Sequence, residues 1–378
     1  MNKSSLPFWR VNGIPIQVDF SWFLIFALIT WSLATSYFPT DYKNWSTPLY
    51  WAIGALTAGL FFVSVFLHEL AHSLVAQRFH IPVRKITLYI FGGISEMKVE
   101  PPTATSELWI TLSGPLMNLL LAGLFALLSL AFPSIAPVQA LTRYLAYANL
   151  LLGAFNLIPG YPLDGGSVLM AIIWGITHKR QWGIITAAYA GNIIAYLLIF
   201  FGAVQLFGGN IMNGLWIAFI GWFMLNASTG AVRQERLKGL LLGHKVSEAM
   251  SKQYIFVYPD TTLQYLVENH ILGSPQRSFL VKKDERVVGM LTIHAVQAIP
   301  KNEWPSKTVE QVMIPAAQMI TVSPDTELYD AIQAMDRDGV NQLPVMANGD
   351  IQGILTREDV ISYLRRLQTS GPRNQPAF

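Results

Sequence analysis

The feature that most constrains this chain is a series of apolar runs long enough to cross a bilayer, all within residues 1–228. Hydrocarbon about 30 Å thick takes about 20 apolar residues in a helix. Six segments qualify: 20–38, 51–77, 108–132, 141–158, 183–207 and 211–228. A shorter apolar piece, Leu163 to Ile176, follows the fourth as a re-entrant segment or a helical continuation. Charged residues make up 13% of the chain, against about 25% in an average soluble domain. The depletion falls on residues 1–228, whereas 233–378 has an ordinary soluble composition. The expected fold is therefore a polytopic α-helical membrane domain of about six transmembrane helices with a small β-hairpin. A soluble α/β tail is expected to follow it.

Basic residues near the spans set the expected orientation. Lys3 and Arg10 precede the first span; Arg78, Arg84, Lys85 and Lys98 lie between the second and third. Lys179 and Arg180 lie between the fourth and fifth, and Arg233, Arg236 and Lys238 follow the sixth. The alternate connections hold only Lys43, with Arg143 at a span edge. A multi-pass protein of the cell membrane follows, with both termini and the tail cytoplasmic. The first run is too long for a cleavable signal and lacks a small-residue cleavage site. Cysteine is absent, so disulfides and thiolate sites are excluded and any metal must use His, Asp or Glu. A net charge of +3, with the basic residues collected beside the spans, argues against nucleic acid as a partner.

The second run contains "VSVFLHELAHSLVAQRF", Val63 to Phe79. Ionisable groups are costly at membrane depth and usually functional there. His68 and His72, four apart, share one helix face and can chelate one zinc ion, while Glu69 can take a proton from a bound water. Zinc moves the pKa of that water from 15.7 to about 7. A catalytic zinc needs a third protein ligand. Glu96 and Glu100 lie downstream in a region where charges are cheap. Asp164 lies in "NLIPGYPLDGG", 156–166, where Pro159, Gly160 and Pro162 interrupt a helix; irregular backbone at membrane depth is tolerated when buried or lining a cavity. Asp164 also suits a helix cap. Between the second and third spans, Ile86 to Phe91 and Ile94 to Val99 flank Gly92-Gly93, which reads as a hairpin with a two-glycine link.

The tail repeats at about 63 residues: "VSEAM" and "VEQVM", "YPDTTLQYLVENH" and "SPDTELYDAIQAM", "VVGMLTIHAV" and "IQGILTREDV". Two such units pack together because each alone buries too little apolar area.

"HELAHSLVAQRF", "SGPLMN" at 113–118 and "NLIPGYPLDGG" together resemble the site-2 protease family of intramembrane zinc metalloproteases. The tail resembles a pair of CBS domains. The resemblance implies one zinc ion held by His68, His72 and Asp164, with Glu69 as general base. It implies a substrate or oxyanion role for Asn156, a supporting role for Asn118, close helix packing at Gly114, and a Gly92-Gly93 β element that pairs with substrate. The substrate would be a membrane-spanning protein, cut in the bilayer. In the tail, Gly353, Thr356 and Asp359 match the CBS pattern for ribose contact, implying ATP, ADP or AMP as ligand; the first repeat has Ala295 where Asp belongs. Homodimerisation through the CBS pair is a further expectation. The domain layout reads as 1–230 membrane metalloprotease, 231–244 linker, 245–302 and 303–368 CBS repeats, and 369–378 a flexible tail. The rival class is a metal-ion transporter or channel with a regulatory CBS tail. It requires a ladder of ionisable sites across the spans, and the sequence offers one locus.

Overall fold

The computed structural model describes residues 5–89, 92–97, 99–272, 277–284 and 286–370. The chain divides into two compact units, residues 1–235 and 236–378.

The first unit begins with a hairpin of β1 (Ser5–Val11) and β2 (Ile14–Asp19). Its turn is Asn12-Gly13, both at positive φ, the dipeptide that two-residue hairpin turns favour. Helix α1 (Phe20–Ser32) continues through a five-residue π-helical turn into α2 (Phe38–Asp41). Asp19 starts α1 by accepting a hydrogen bond from the Ser21 amide. Then come α3 (Thr47–Arg78), the strands β3 (Val83–Tyr89) and β4 (Gly92–Met97), and α4 (Ala104–Ala131). The remaining helices are α5 (Ala136–Asn156), α6 (Asp164–Thr177), α7 (Arg180–Phe207) and α8 (Ile211–Leu241).

Among the described residues, five helical stretches are long and apolar enough to cross a membrane: Phe20–Asp41, α3, α4, α7 and α8. The expected fourth span is α5. It is helical over 21 residues, about 31 Å at 1.5 Å per residue, but Gln139, Arg143, Asn149 and Asn156 make it less apolar than the other five. Part of that polarity is buried: Thr142 and Asn149 are inaccessible to solvent or nearly so. The apolar piece after it is a separate helix, α6.

The four strands form one sheet in the order β1-β2-β3-β4, with β2 parallel to β3 and the other pairs antiparallel. The sequence reading anticipated only the second hairpin, and it misassigned that hairpin's turn. Tyr89 pairs with Gly92 and Leu88 with Gly93, so both glycines belong to β4. Ile90 and Phe91, between the strands, lie outside the described residues, as do Lys3 and Lys98. Within this sheet β4 is an edge strand, paired on one side only.

The second unit holds α9 (Val246–Ala249), β5 (Phe256–Val257), α10 (Leu263–Leu266), β6 (Ser278–Lys283), β7 (Arg286–Thr292) and α11 (Ile293–Gln297). Then follow α12 (Val309–Val312), β8 (Ile314–Pro315), α13 (Leu328–Asp338), β9 (Gln342–Ala347), β10 (Asp350–Thr356) and α14 (Arg357–Ser370). The residues 371–378 of the expected flexible tail lie outside the described part.

Its two cores are offset from the two sequence repeats. Val246 and Ala249 pack with Leu328, Met335, Leu343 and Leu355 of the second repeat. Val309 packs with Val257, Leu263, Phe279 and Leu291 of the first. Strand β8 completes the sheet β5-β6-β7-β8, and Ser251 bridges to Ile354 beside β10 in the same manner. Each repeat thus lends its leading segment to the other.

Candidate metal centre

Helix α3 carries His68 and His72 one turn apart, and both are buried. Asp164 reaches them because α5 stops at Asn156 and α6 starts at Asp164 itself. The connecting segment is irregular but held: the Tyr161 amide donates to Ala187 O on α7 at 3.1 Å. A Cβ on Gly165 would lie 2.4 Å from the Leu157 and Ile158 carbonyl oxygens, so the absent side chain lets α6 begin against the end of α5. The residue in N-cap conformation is Leu163; Asp164 is not the cap, and its carboxylate turns toward the histidines.

His68 Nε2 lies 3.1 Å from Asp164 Oδ2, His72 Nε2 lies 3.5 Å from the same oxygen, and the two imidazole nitrogens are 3.1 Å apart. Tetrahedral coordination at 2.0–2.1 Å per bond sets neighbouring ligand atoms about 3.3 Å apart. The triangle therefore fits one face of a zinc tetrahedron. Protonation points the same way. His72 Nδ1 is 2.7 Å from the Ile110 carbonyl on α4, which only accepts, so Nδ1 carries the hydrogen and Nε2 presents a lone pair in the neutral ring. Converging lone pairs beside a carboxylate call for a cation between them. Among the described residues this is the one cluster of three or more His, Asp or Glu side chains that could hold a metal ion.

Helix α4 comes close enough only because of Gly114. A Cβ there would lie 2.3 Å from His72 Nε2 and 2.7 Å from His68 Cε1. The packing role expected for this glycine is therefore contact with the imidazoles themselves.

Glu69 is half-buried between α3 and β4. Ser95 on β4 donates to Glu69 Oε2 at 3.0 Å, and lies 3.1 Å from the Glu69 carbonyl and from Ser73 Oγ. A Cβ on Gly93 would meet Glu69 Cγ at 2.3 Å. The glycine is thus needed for the edge strand to lie on the carboxylate-bearing side chain, which accounts for its place in β4 rather than in the turn. Gly92 has φ of +127°, a backbone geometry that also favours glycine.

The other two candidate acids point elsewhere. Glu96 pairs with Lys85 at 3.1 Å, and Glu100 with Arg180 at 3.3 Å. Asn156 is the last residue of α5, half-buried at the break that precedes Asp164. Asn118 is fully buried on α4, one turn beyond Gly114. Ser95 and the Ile110 carbonyl were missed by sequence reasoning. The first is a common residue in a strand, and the second is backbone, so neither leaves a motif.

In the second unit, a Cβ on Gly353 would lie 2.6 Å from Ser251 O, so close packing of the exchanged segment requires the glycine. Thr356 Oγ1 donates to Asp359 Oδ2 at 2.6 Å, and the Asp359 amide donates to Thr356 Oγ1 at 3.1 Å. These three residues thus lie at the junction of β10 and α14, with Thr356 and Asp359 bonded to each other.

The model of peptidase family M50 matches residues 56–143 and 133–201, and the CBS domain model matches 246–298 and 309–366. A protein of Synechocystis sp. named "putative zinc metalloprotease" is 32% identical over 93% of this chain and 93% of its own length. A protein of Methanocaldococcus jannaschii named "zinc metalloprotease" is 25% identical over 96% of this chain and 97% of its own. Among solved structures, the site-2 protease from Methanocaldococcus jannaschii is 27% identical, covering 61% of this chain and 95% of its own, with a TM-score of 0.41.

Proposed function

The chain belongs to peptidase family M50, the site-2 proteases, and is a metalloprotease with a CBS domain pair; from that premise we propose that it hydrolyses peptide bonds within the membrane-spanning segments of other proteins. The observation that carries the reading is the triangle of His68, His72 and Asp164, spaced for one zinc ion and set among apolar helices.

His68 and His72 would hold the ion through Nε2, and Asp164 through Oδ2. When bound, zinc supplies Lewis acidity to the carbonyl under attack and lowers the pKa of water toward about 7. Glu69 is the general base: it takes a proton from the attacking water and returns it to the leaving amine. Ser95 keeps one carboxylate oxygen occupied, which fixes the direction of the other. Asn156, at the helix break beside Asp164, is the group we assign to the substrate carbonyl. Edge strand β4, with Gly92 and Gly93 at its start, offers unpaired backbone groups to a locally unwound substrate helix. Such strand addition replaces the hydrogen bonds the helix loses in hydrocarbon.

Basic residues beside the spans put both termini and the tail in the cytoplasm. The His pair then sits in the cytoplasmic half of α3, within reach of cytosolic water. A transporter would need exchangeable sites spread across the bilayer; among the described residues there is one such cluster, and the relatives are named as metalloproteases.

Elemental analysis joined to a cleavage assay tests the proposal. Glu69→Ala should retain one zinc per chain and lose cleavage of a single-span substrate by about 10²–10⁴-fold, the usual worth of a general base. His68→Ala and Asp164→Ala should lose the zinc. Undiminished cleavage by Glu69→Ala would remove the mechanism.

For the tail we propose an adenine nucleotide, ATP, ADP or AMP, at Gly353, Thr356 and Asp359, with homodimerisation through the CBS pair. Thr356 and Asp359 bond each other at the start of α14, so a ribose would have to exchange for part of that cap. Titration calorimetry of residues 240–368 with each nucleotide should show heat at a single site. Absence of heat and of any thermal shift with all three would end the idea.

A further inference from the structure

The two histidines differ in what their outer nitrogens meet. His72 Nδ1 is bonded to the Ile110 carbonyl. His68 Nδ1 is buried and has no partner among the described residues. Its other nitrogen, Nε2, is the one that faces Asp164 and the proposed metal position; once Nε2 gives its lone pair to the ion, the neutral ring's hydrogen is on Nδ1, which then needs an acceptor.

Helices α3 and α4 run antiparallel here: His72 Nδ1 meets Ile110, and Gly114, one turn on, approaches both the His72 and the His68 rings. One further turn on each helix sets Ser64 level with Asn118, about 5.4 Å along the axis. Helical side chains lean toward the N-terminus, so the His68 ring inclines toward this layer. The third side of the layer is α5, where Asn149 Nδ2 donates to Ser64 Oγ at 3.2 Å and to Leu145 O at 2.9 Å. Gly153, one turn from Asn149, is where α5 meets Asn118: a Cβ built there would be 3.2 Å from Asn118 Cβ.

Asn118 and Asn149 are both 0% exposed. Neither amide atom of Asn118 has a partner among the described residues, and Asn149 Oδ1 has none. With His68 Nδ1, four buried polar atoms without a partner among the described residues lie on three neighbouring helices, on turns next to one another. Buried polar groups without partners are rare, and where several converge an internal water supplies the bonds, typically making about three.

We propose that this layer is a water-binding site, lined by Asn118 and Asn149, whose water accepts from His68 Nδ1. It does for His68 what the Ile110 carbonyl does for His72: it holds the hydrogen on the outer nitrogen and keeps Nε2 aimed at the metal. Asn118 is then a positioning residue. The proposal rests on the zinc-ligand reading of His68, and it assigns the partner that reading leaves open.

Two measurements on the full-length chain test it. A structure of the zinc-loaded protein at a resolution that shows waters should contain a discrete peak within hydrogen-bonding distance of both His68 Nδ1 and the Asn118 carboxamide. An empty layer, or one closed by direct side-chain contacts, overturns the proposal. Chelator competition should show Asn118→Leu binding zinc about 10- to 100-fold more weakly, the usual effect of removing a group that supports a ligand. Asn118→Ser, which keeps a hydroxyl for the water, should recover most of that loss. Zinc affinity unchanged in Asn118→Leu overturns the positioning role. If Asn118→Leu does not fold, the wild-type structure decides alone. Failure of the wild-type chain to bind zinc at all would strike the metalloprotease mechanism, a result distinct from either of these.

Discussion

Ser95 ties the carboxylate of Glu69 to an edge strand, through one hydrogen bond to Oε2 and a second contact to the Glu69 carbonyl. Hydrogen bonds to charged groups contribute about 1.5–3 kcal/mol. If Glu69 is the base proposed above, Ser95→Ala should lower turnover by roughly one to two orders of magnitude by misdirecting it, with zinc content unchanged. A metal assay beside a cleavage assay separates that outcome from general damage. Both histidines and Glu69 were legible in the sequence because helix periodicity alone fixes which side chains share a face, and because ionisable groups in an apolar run stand out. Asp164 was legible as one of three acids. Spacing could not choose among them, since the choice depends on where α6 begins relative to α5. The salt bridges of Glu96 and Glu100 are tertiary facts of the same kind. Ser95 and Ile110 could not be read from a pattern, because their roles come from backbone approach between separate elements.

At the scale of elements, the first hairpin was readable and was overlooked: Asn12-Gly13 between alternating strands is a strong local turn signal. The second was read, with its glycines misassigned to the turn because Gly-Gly suits a two-residue link so well. What requires Gly93 in β4 is the bulk of Glu69, and what favours Gly92 is its positive φ; no local pattern contains either. The interleaving of the CBS repeats is likewise invisible to repeat detection. Sequence similarity aligns the 246–250 and 309–313 segments with their own repeats, whereas burial assigns each to its partner. A consequence is measurable. A chain of residues 240–368 should unfold cooperatively, whereas residues 240–302 should not fold, since that cut removes Val309 from its core and leaves Val246 and Ala249 exposed. Circular dichroism and limited proteolysis of the two fragments check this; a protected, cooperatively melting 240–302 would contradict the exchange.

Across the whole molecule, the division into an apolar unit and a soluble-like tail was plain from composition, since charge depletion stops where α8 nears its end. The tail has its own response to acid. Glu248 is held down to about 2 from 4.5, chiefly by the Tyr363 hydroxyl, then by the Lys245 amide and His244. A carboxylate depressed on folding contributes stability that is fully present above its unfolded value and is lost as pH falls through the folded one. The contribution therefore disappears between about pH 4.5 and about pH 2. Tyr363→Phe should destabilise the tail at neutral pH and narrow the difference in melting temperature between neutral pH and about pH 3; an unchanged difference would show that this cluster does not govern the acid response. The membrane unit has a different vulnerability, set by the missing side chains at Gly93 and Gly114. Every missense change one base away from a glycine codon adds a Cβ, and at these two positions the Cβ collides with Glu69 or with the imidazoles. Neither codon has a missense neighbour that avoids this collision. In a randomly mutagenised population selected for activity, both glycines should persist while the surrounding lipid-facing leucines drift.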